Sequence, residues 1–209
     1  MKVLLFCLLC AVGGYHVFFA KREEVTKPLL APLAAVFYVV AAREPYWLPV
    51  LAFAFCCAGD VLLMKRGTHT FVIGGVCFLT AHMILSVFFL LRTDFAKGGG
   101  FAAIIGLFVF AAAVFAVMRC VKDTFRGGMF AGMAAYLGIN GLMNTCALLL
   151  CFVRPECAAV FAGAVMFFLS DAVLFLKKAK KLRRIRGRHA VMFTYLLALV
   201  LLAIGMAVI

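Results

Sequence analysis

Two aspartates lie inside long apolar segments of this chain, where a charged side chain is costly. Asp60 stands in AFAFCCAGDVLLM and Asp171 in AVMFFLSDAVLFL, each after a small residue and near the end of its apolar run. A carboxylate in such a run costs several kcal/mol unless it is paired, protonated or in contact with water. Two buried carboxyl groups can divide acid and base roles, because their surroundings decide which one keeps its proton. The pair is therefore the predicted place of any chemistry.

The composition is that of a polytopic membrane protein. Hydrophobic residues make up 67% of the 209 residues, whereas soluble domains contain about 45–50% apolar residues. The formal net charge of +13 comes from basic residues between the apolar runs, where such residues set membrane topology, so we predict no nucleic-acid partner. Several of the nine cysteines lie inside apolar runs, which is typical of small membrane-buried side chains and not of a disulfide framework.

Eight apolar segments predict an all-α bundle of about eight transmembrane helices, because a spanning helix needs about 20 mostly apolar residues. The segments and their short polar breaks form a single transmembrane domain over residues 1–209. The predicted spans are roughly 3–20, 28–42, 46–64, 70–91, 100–119, 128–152, 156–176 and 190–209. The first segment also resembles a signal peptide, but its apolar run continues to Ala20 without a clear cleavage site.

The distribution of lysine and arginine predicts the direction of these helices. Sixteen of the 21 basic residues lie in the breaks after odd-numbered spans, and five lie at the N-terminus or in the other breaks. Because basic residues favour the cytoplasmic side, both termini are predicted on the non-cytoplasmic side. Spans three and seven then run in the same direction, and at about 1.5 Å per residue both aspartates lie about 6–8 Å inside the cytoplasmic boundary. They are predicted to share one site.

A polar stripe runs along the sixth predicted span. Tyr136, Asn140 and Asn144 are spaced one turn apart, so their side chains share one face of a helix. A polar face towards lipid would be costly, so the stripe is predicted to face the interior of the bundle. Interhelical hydrogen bonding and a role in the site both explain such amides.

Three other polar residues are candidates for substrate binding, and each also has a structural explanation. Lys27 lies at the start of span two, in the sequence Lys-Pro-Leu. It is either a basic residue that sets the topology or a residue that binds a phosphate with the help of the positive N-terminal end of the helix. His82 lies near the middle of span four, as a packing donor or as a lining residue. Tyr195 lies early in the last span, as an interfacial aromatic or as a group near the carboxylates.

Several of these short motifs occur together, in order, over nearly the whole chain. They are the Lys-Pro-Leu at Lys27, the Gly-Asp-x-x-Leu at Asp60, the Phe78/His82 spacing, the Ser-Asp-x-x-Leu at Asp171 and the early Tyr195. In this ordered set the chain resembles the YhhN-like lysoplasmalogenase family of eight-span membrane proteins. The resemblance implies hydrolysis of the vinyl-ether bond of lysoplasmalogen to a fatty aldehyde and glycerophospho-ethanolamine or -choline. It also implies that Asp60 and Asp171 are the catalytic aspartates.

The chemistry of this bond suits two aspartates in an apolar bundle. A vinyl ether hydrolyses when an acid protonates its β-carbon, and the resulting oxocarbenium ion is attacked by water. One protonated carboxyl group and one carboxylate supply the proton and stabilise the cation or activate the water. We expect no metal and no cofactor. Tyr136 and the two asparagines are expected to orient water or glycerol hydroxyls, and Lys27 to bind the phosphate.

Other interpretations of the aspartates remain open at this point. A small-molecule or proton-coupled transporter is the main alternative, because intramembrane carboxylates mark ion and proton pathways. A metal-dependent membrane hydrolase would need Asp60, His82 and Asp171 to converge. A third hypothesis makes the aspartates a helix-packing pair that is neutralised by protonation.

The predicted surroundings follow from the same features. The partners are the lipid bilayer and a lysophospholipid, whose chain would reach the bundle interior sideways from the leaflet. The short length of the chain, 209 residues, favours a bacterial inner membrane. The active site is predicted to lie towards the cytoplasmic leaflet.

Overall fold

The computed structural model describes residues 2–18, 23–65, 67–180 and 187–209. This part of the chain contains eight α-helices and two short 3₁₀ helices, and no strand. The helices are α1 (Lys2–Phe18), α2 (Glu23–Ala41), α3 (Trp47–Met64), α4 (Thr68–Leu91), α5 (Gly100–Val121), α6 (Gly127–Val153), α7 (Ala158–Lys178) and α8 (Gly187–Met206). The predicted all-α architecture is confirmed, and each helix lies close to its predicted span.

Six helices of the described chain, α3 to α8, are long and apolar enough to cross a membrane. The apolar parts described for α1 and α2 are shorter, at Lys2–Tyr15 and Thr26–Ala41. The prediction of eight full spans is therefore met by six helices, with two shorter apolar helices beside them. Much of the basic segment before α8, at residues 181–186, lies outside the described residues, as do residues 19–22 and Arg66. The direction of the termini stays a prediction.

Glycines allow α7 and α8 to approach each other closely. A Cβ atom at Gly163 would lie 2.8 Å from the backbone nitrogen of Leu202, and one at Gly205 would lie 2.5 Å from that of Val160. Small residues that let helix backbones meet are a common basis of packing in membranes. The α7–α8 contact therefore fixes Asp171 of α7 relative to Tyr195 of α8.

The remaining helices complete a bundle around buried polar residues. Helix α3 packs along α4 and α2, and α4 packs along α6, which in turn contacts α5 and α7. Ten polar or charged residues of the described chain are buried. They are Lys27, Asp60, His82, Ser86, Thr93, Asn140, Asn144, Thr145, Ser170 and Asp171. All nine cysteines are free thiols.

Candidate functional site

Asp60 and Asp171 line the same cavity, whose volume is about 650 Å³. Helices α2, α3, α4, α6, α7 and α8 all contribute to its wall. The two aspartates are buried, with 1% and 6% of their surfaces exposed, and they are close enough to interact electrostatically. Two residues 111 positions apart in sequence thus belong to one site.

Asp60 has a cation on one oxygen and a hydroxyl on the other. The Lys27 ammonium lies 3.4 Å from Oδ1, and the Tyr195 hydroxyl donates a hydrogen bond of 2.7 Å to Oδ2. Lys27 is itself buried, with 8% of its surface exposed. A buried carboxylate that has both a cation and a donor keeps its negative charge at lower cost than an isolated one.

Asp171 is held by two neutral donors from α6. The Tyr136 hydroxyl donates to Oδ2 over 2.8 Å, and the Asn140 amide donates to the same oxygen over 2.7 Å. The Asn144 amide donates to Asn140 Oδ1 over 3.0 Å and to the Asn140 backbone carbonyl over 2.9 Å. Because Asn144 holds the carbonyl oxygen of the Asn140 side chain, the amide nitrogen of Asn140 is directed at Asp171.

His82 lies behind Asp171 and is fully buried. Its Nε2 is 3.9 Å from Asp171 Oδ2, beyond hydrogen-bond distance. Neither ring nitrogen has a hydrogen-bond partner among the described residues. Its ring packs edge-on against Phe167, with centroids 4.7 Å apart, and against Tyr136, with centroids 5.5 Å apart. His82, Asn140 and Asn144 do not line the cavity, so they contact the site through Asp171 and Tyr136.

Aromatic rings support both tyrosines. Phe78 and Phe167 each pack edge-on against Tyr195, with centroids 6.0 Å and 5.5 Å apart, and Phe175 packs against Tyr136 at 5.4 Å. A Cβ atom at Gly59 would lie 2.6 Å from the Phe78 ring. The small residue before Asp60 therefore lets Phe78 reach the site, and edge-to-face contacts fix the ring positions.

The cavity reaches an exposed apolar surface of α4 and α6. Val72 and Val76 of α4 line it and are also half exposed. Three glycines, Gly75, Gly128 and Gly132, line it as well, and a Cβ atom at any of them would meet no atom within 4 Å. The wall is therefore open beside these glycines.

All eight candidate residues from the sequence gather around this cavity. Lys27, Asp60, Tyr136, Asp171 and Tyr195 line it, and the other three lie behind Asp171. Their catalytic and binding roles stay predictions.

Sequence reasoning missed part of the wall. It includes the aromatic rings of Phe78 and Phe167 as supports, the glycines of the opening, and the lysines Lys177 and Lys178. Residues at i, i+3, i+4 and i+7 from Asp171 share its helical face. Lys178 is at i+7, so this spacing could have predicted that Lys178 lies on the same face as Asp171.

No metal-type donor set accompanies the aspartates in the described residues. Within residues 2–18, 23–65, 67–180 and 187–209, no group of three His, Cys, Asp or Glu side chains is arranged to hold a metal ion. The proposed convergence of Asp60, His82 and Asp171 on a metal therefore has no complete ligand set there.

Comparison with known protein families shows which family the chain belongs to. The sequence pattern of the YhhN family matches residues 23–206, which is most of the chain and includes every residue of the site. The chain belongs to this family. Comparison with curated proteins and with solved structures gave no match.

The ion pair at Asp60 can be tested by its contribution to stability. Replacing Lys27 with Met leaves a buried carboxylate without its cation, so we expect the free energy of unfolding to fall by roughly 3 kcal/mol. Adding Asp60→Asn to Lys27→Met should recover most of that loss. Unfolding in mixed micelles measures both effects.

The exposed pair of Lys97 and Asp94, with nitrogen and oxygen 3.8 Å apart, supplies the control. Lys97→Met should cost less than about 1 kcal/mol, because exposed pairs contribute little. If Lys27→Met costs no more than Lys97→Met, the buried ion pair does not stabilise Asp60.

Proposed function

We propose that this member of the YhhN family is a membrane hydrolase that cleaves the vinyl-ether bond of lysoplasmalogen. The products are a fatty aldehyde and glycerophospho-ethanolamine or -choline. The observation that carries the proposal is a pair of buried carboxyl groups on one cavity that reaches an exposed apolar surface of the helices. Such a site combines an acid, a base and access for a lipid chain.

The reaction adds one water across the vinyl ether. A carboxylic acid gives its proton to the β-carbon of the alkenyl chain, and the electrons of the double bond form the new carbon–hydrogen bond. The α-carbon becomes part of an oxocarbenium ion, which a nearby carboxylate stabilises. Water adds to the α-carbon and gives a proton to a carboxylate. The hemiacetal then breaks its bond to the glycerol oxygen, which takes a proton and leaves as the alcohol.

We assign the proton donor to Asp171 and the stabilising carboxylate to Asp60. Lys27 lies beside Asp60, and a cation at that distance favours a carboxylate over a carboxylic acid. The hydrogen bonds to Asp171 come from the neutral side chains of Tyr136 and Asn140, so its charge would have less compensation. Two carboxyl groups with unequal surroundings can hold one proton between them at the required position.

The remaining residues orient the two aspartates. Tyr136 and Tyr195 line the cavity and each donates to one aspartate, so a water or glycerol hydroxyl beside them would be directed at the carboxyl groups. Asn140 donates to Asp171, Asn144 orients Asn140, and the His82 ring packs beside Asp171. Their replacement should lower kcat more than it raises KM, because they contact no substrate.

The proposed setting is a bacterial inner membrane, with the site towards the cytoplasmic leaflet. The helices are those of an integral membrane protein, and the alkenyl chain would reach the aspartates through the opening between α4 and α6. The charge distribution of the loops supports this orientation.

The paired-carboxylate mechanism can be tested by removing either acid. We expect Asp60→Asn and Asp171→Asn each to lower the rate of aldehyde release by about 10²-fold or more, since a positioned acid or base contributes about 10²–10⁴-fold. The assay uses purified protein in detergent with lysoplasmalogen, and size-exclusion elution checks folding. Asp94→Asn, at an exposed position between α4 and α5, should keep the wild-type rate. Near wild-type turnover in either buried variant would refute the mechanism.

The lipid opening can be tested with a matched pair of glycine substitutions on α6. Gly132→Leu places a side chain in the opening, so we expect kcat/KM for a long-chain substrate to fall about tenfold relative to a short-chain one, a difference of ~1.4 kcal/mol. Gly138→Leu lies on the same helix, lines no part of this cavity and also meets no atom within 4 Å. It should leave the chain-length preference unchanged. Equal effects of the two variants would contradict passage through this opening.

A further inference from the structure

We propose that Lys178, at the rim of the cavity, binds the phosphate of a single-chain glycerophospholipid whose reacting bond lies at Asp171. Lys178 lines the same cavity as the two aspartates and has an exposed side chain. This inference rests on the proposed function of the cavity. It assigns the recognition of the substrate's phosphate to the rim of the cavity.

Of the two other lysines that line the cavity, Lys27 and Lys177, Lys27 already has a partner. Lys27 is buried and its ammonium lies 3.4 Å from Asp60 Oδ1. A phosphate at Lys27 would compete with Asp60 for the same positive charge and would bring a second negative charge close to a buried carboxylate. Like charges held this close in a poorly solvated site are strongly unfavourable. The phosphate therefore needs a different cation.

Helix α7 presents Lys178 on the same face as Asp171. Asp171, Leu174, Phe175 and Lys178 all line the cavity, and their spacing of i, i+3, i+4 and i+7 covers two turns of one helical face. Lys178 lies seven positions after Asp171, which corresponds to a rise of about 10 Å between their Cα atoms along the helix axis. Between them the wall is apolar.

This separation suits a glycerophospholipid with one glycerol unit between phosphate and reacting bond. Seven covalent bonds join the phosphorus atom to the β-carbon of a vinyl ether on the first glycerol carbon. With bonds of about 1.5 Å and angles near 111°, an extended chain of this length spans about 9 Å. A phosphate at Lys178 therefore brings the β-carbon to the level of Asp171.

The position of Lys178 is fixed from the opposite wall. Its ammonium lies 3.2 Å from the centre of the Phe71 ring of α4, and Phe71 also lines the cavity. An aromatic face attracts a cation and restricts the flexible lysine side chain. None of the ion pairs between described residues involves Lys178 or Lys177, so both charges are available to an anion. Lysines also favour the C-terminal end of a helix on electrostatic grounds alone, so the test must separate the two explanations.

The first test measures discrimination between substrates with and without a phosphate. The substrates are 1-alkenyl-glycerophosphoethanolamine and 1-alkenyl-glycerol with the same chain, and the readout is the ratio of their kcat/KM values. We expect Lys178→Gln to lower this ratio about 10-fold, through KM of the phosphate-bearing substrate, because a charge-assisted contact is lost. Lys178→Arg should retain most of the preference.

Lys65→Gln is the matched control for the change in charge. Lys65 is an exposed lysine directly after α3, and it does not line the cavity. The variant should keep the wild-type ratio. A wild-type ratio in Lys178→Gln, or an equal loss in Lys65→Gln, would overturn the assignment.

The second test measures binding without turnover. The probe is a 1-alkyl-glycerophosphoethanolamine, whose saturated ether cannot undergo the proposed reaction. We expect its Kd to rise about 10-fold in Lys178→Gln and to stay unchanged in Lys65→Gln. Inorganic phosphate at the same concentration should not displace it.

The outcomes distinguish the binding site from the proposed reaction. A shift in Kd with no vinyl-ether cleavage by the wild type would support the phosphate site and refute the proposed function. Cleavage with an unchanged Kd would support the function and refute the phosphate site. Displacement by inorganic phosphate at equal concentration would identify a soluble anion as the ligand, and no binding of the probe to the wild type would refute the site.

Discussion

The cost of a carboxylate inside an apolar bundle is the constraint on which the rest of the site depends. Asp60 and Asp171 are both buried, and each uncompensated charge at such a position costs several kcal/mol. The structure provides compensation from three helices, α2, α6 and α8: Lys27 and Tyr195 bind Asp60, and Tyr136 and Asn140 bind Asp171. These bonds connect helices that are distant in sequence, so the same contacts that stabilise the charges also position the site.

The negative charges of the two aspartates are compensated in different ways, and this difference favours one of them as the proton donor. Asp60 has a cation beside it, whereas the hydrogen bonds to Asp171 come from neutral groups. A symmetric pair would have no preferred proton donor. The unequal surroundings support one acid and one carboxylate on a shared cavity, which is the arrangement that protonation of a carbon atom and stabilisation of a cation require.

Much of the fold follows from local properties of the sequence, whereas the contacts of the site do not. Apolar length predicted each helix to within a few residues, and the one-turn spacing of Tyr136, Asn140 and Asn144 predicted their common buried face. The ion pair between Lys27 and Asp60 could not be predicted, because it depends on how α2 packs against α3 and the periodicity of the sequence does not determine this packing. The opening between α4 and α6 could not be predicted either, because the sequence does not show which glycines have no neighbouring atoms in the folded bundle. The proposed phosphate role of Lys178 depends on the position of Lys178, Asp171 and Phe71 on the same cavity, which requires the packing of α4 against α7.

The central claim is that the cavity protonates a carbon atom of a vinyl ether and adds water to the neighbouring carbon. Turnover of lysoplasmalogen in deuterium oxide, followed by mass analysis of both products, tests it most directly. We predict a single deuterium on the carbon next to the aldehyde group. In water labelled with heavy oxygen, the released glycerol hydroxyl should carry no label, because the bond to the glycerol oxygen breaks on the side of the alkenyl chain. An aldehyde without deuterium at that carbon, or labelled oxygen in the glycerol product, would contradict the proposed reaction.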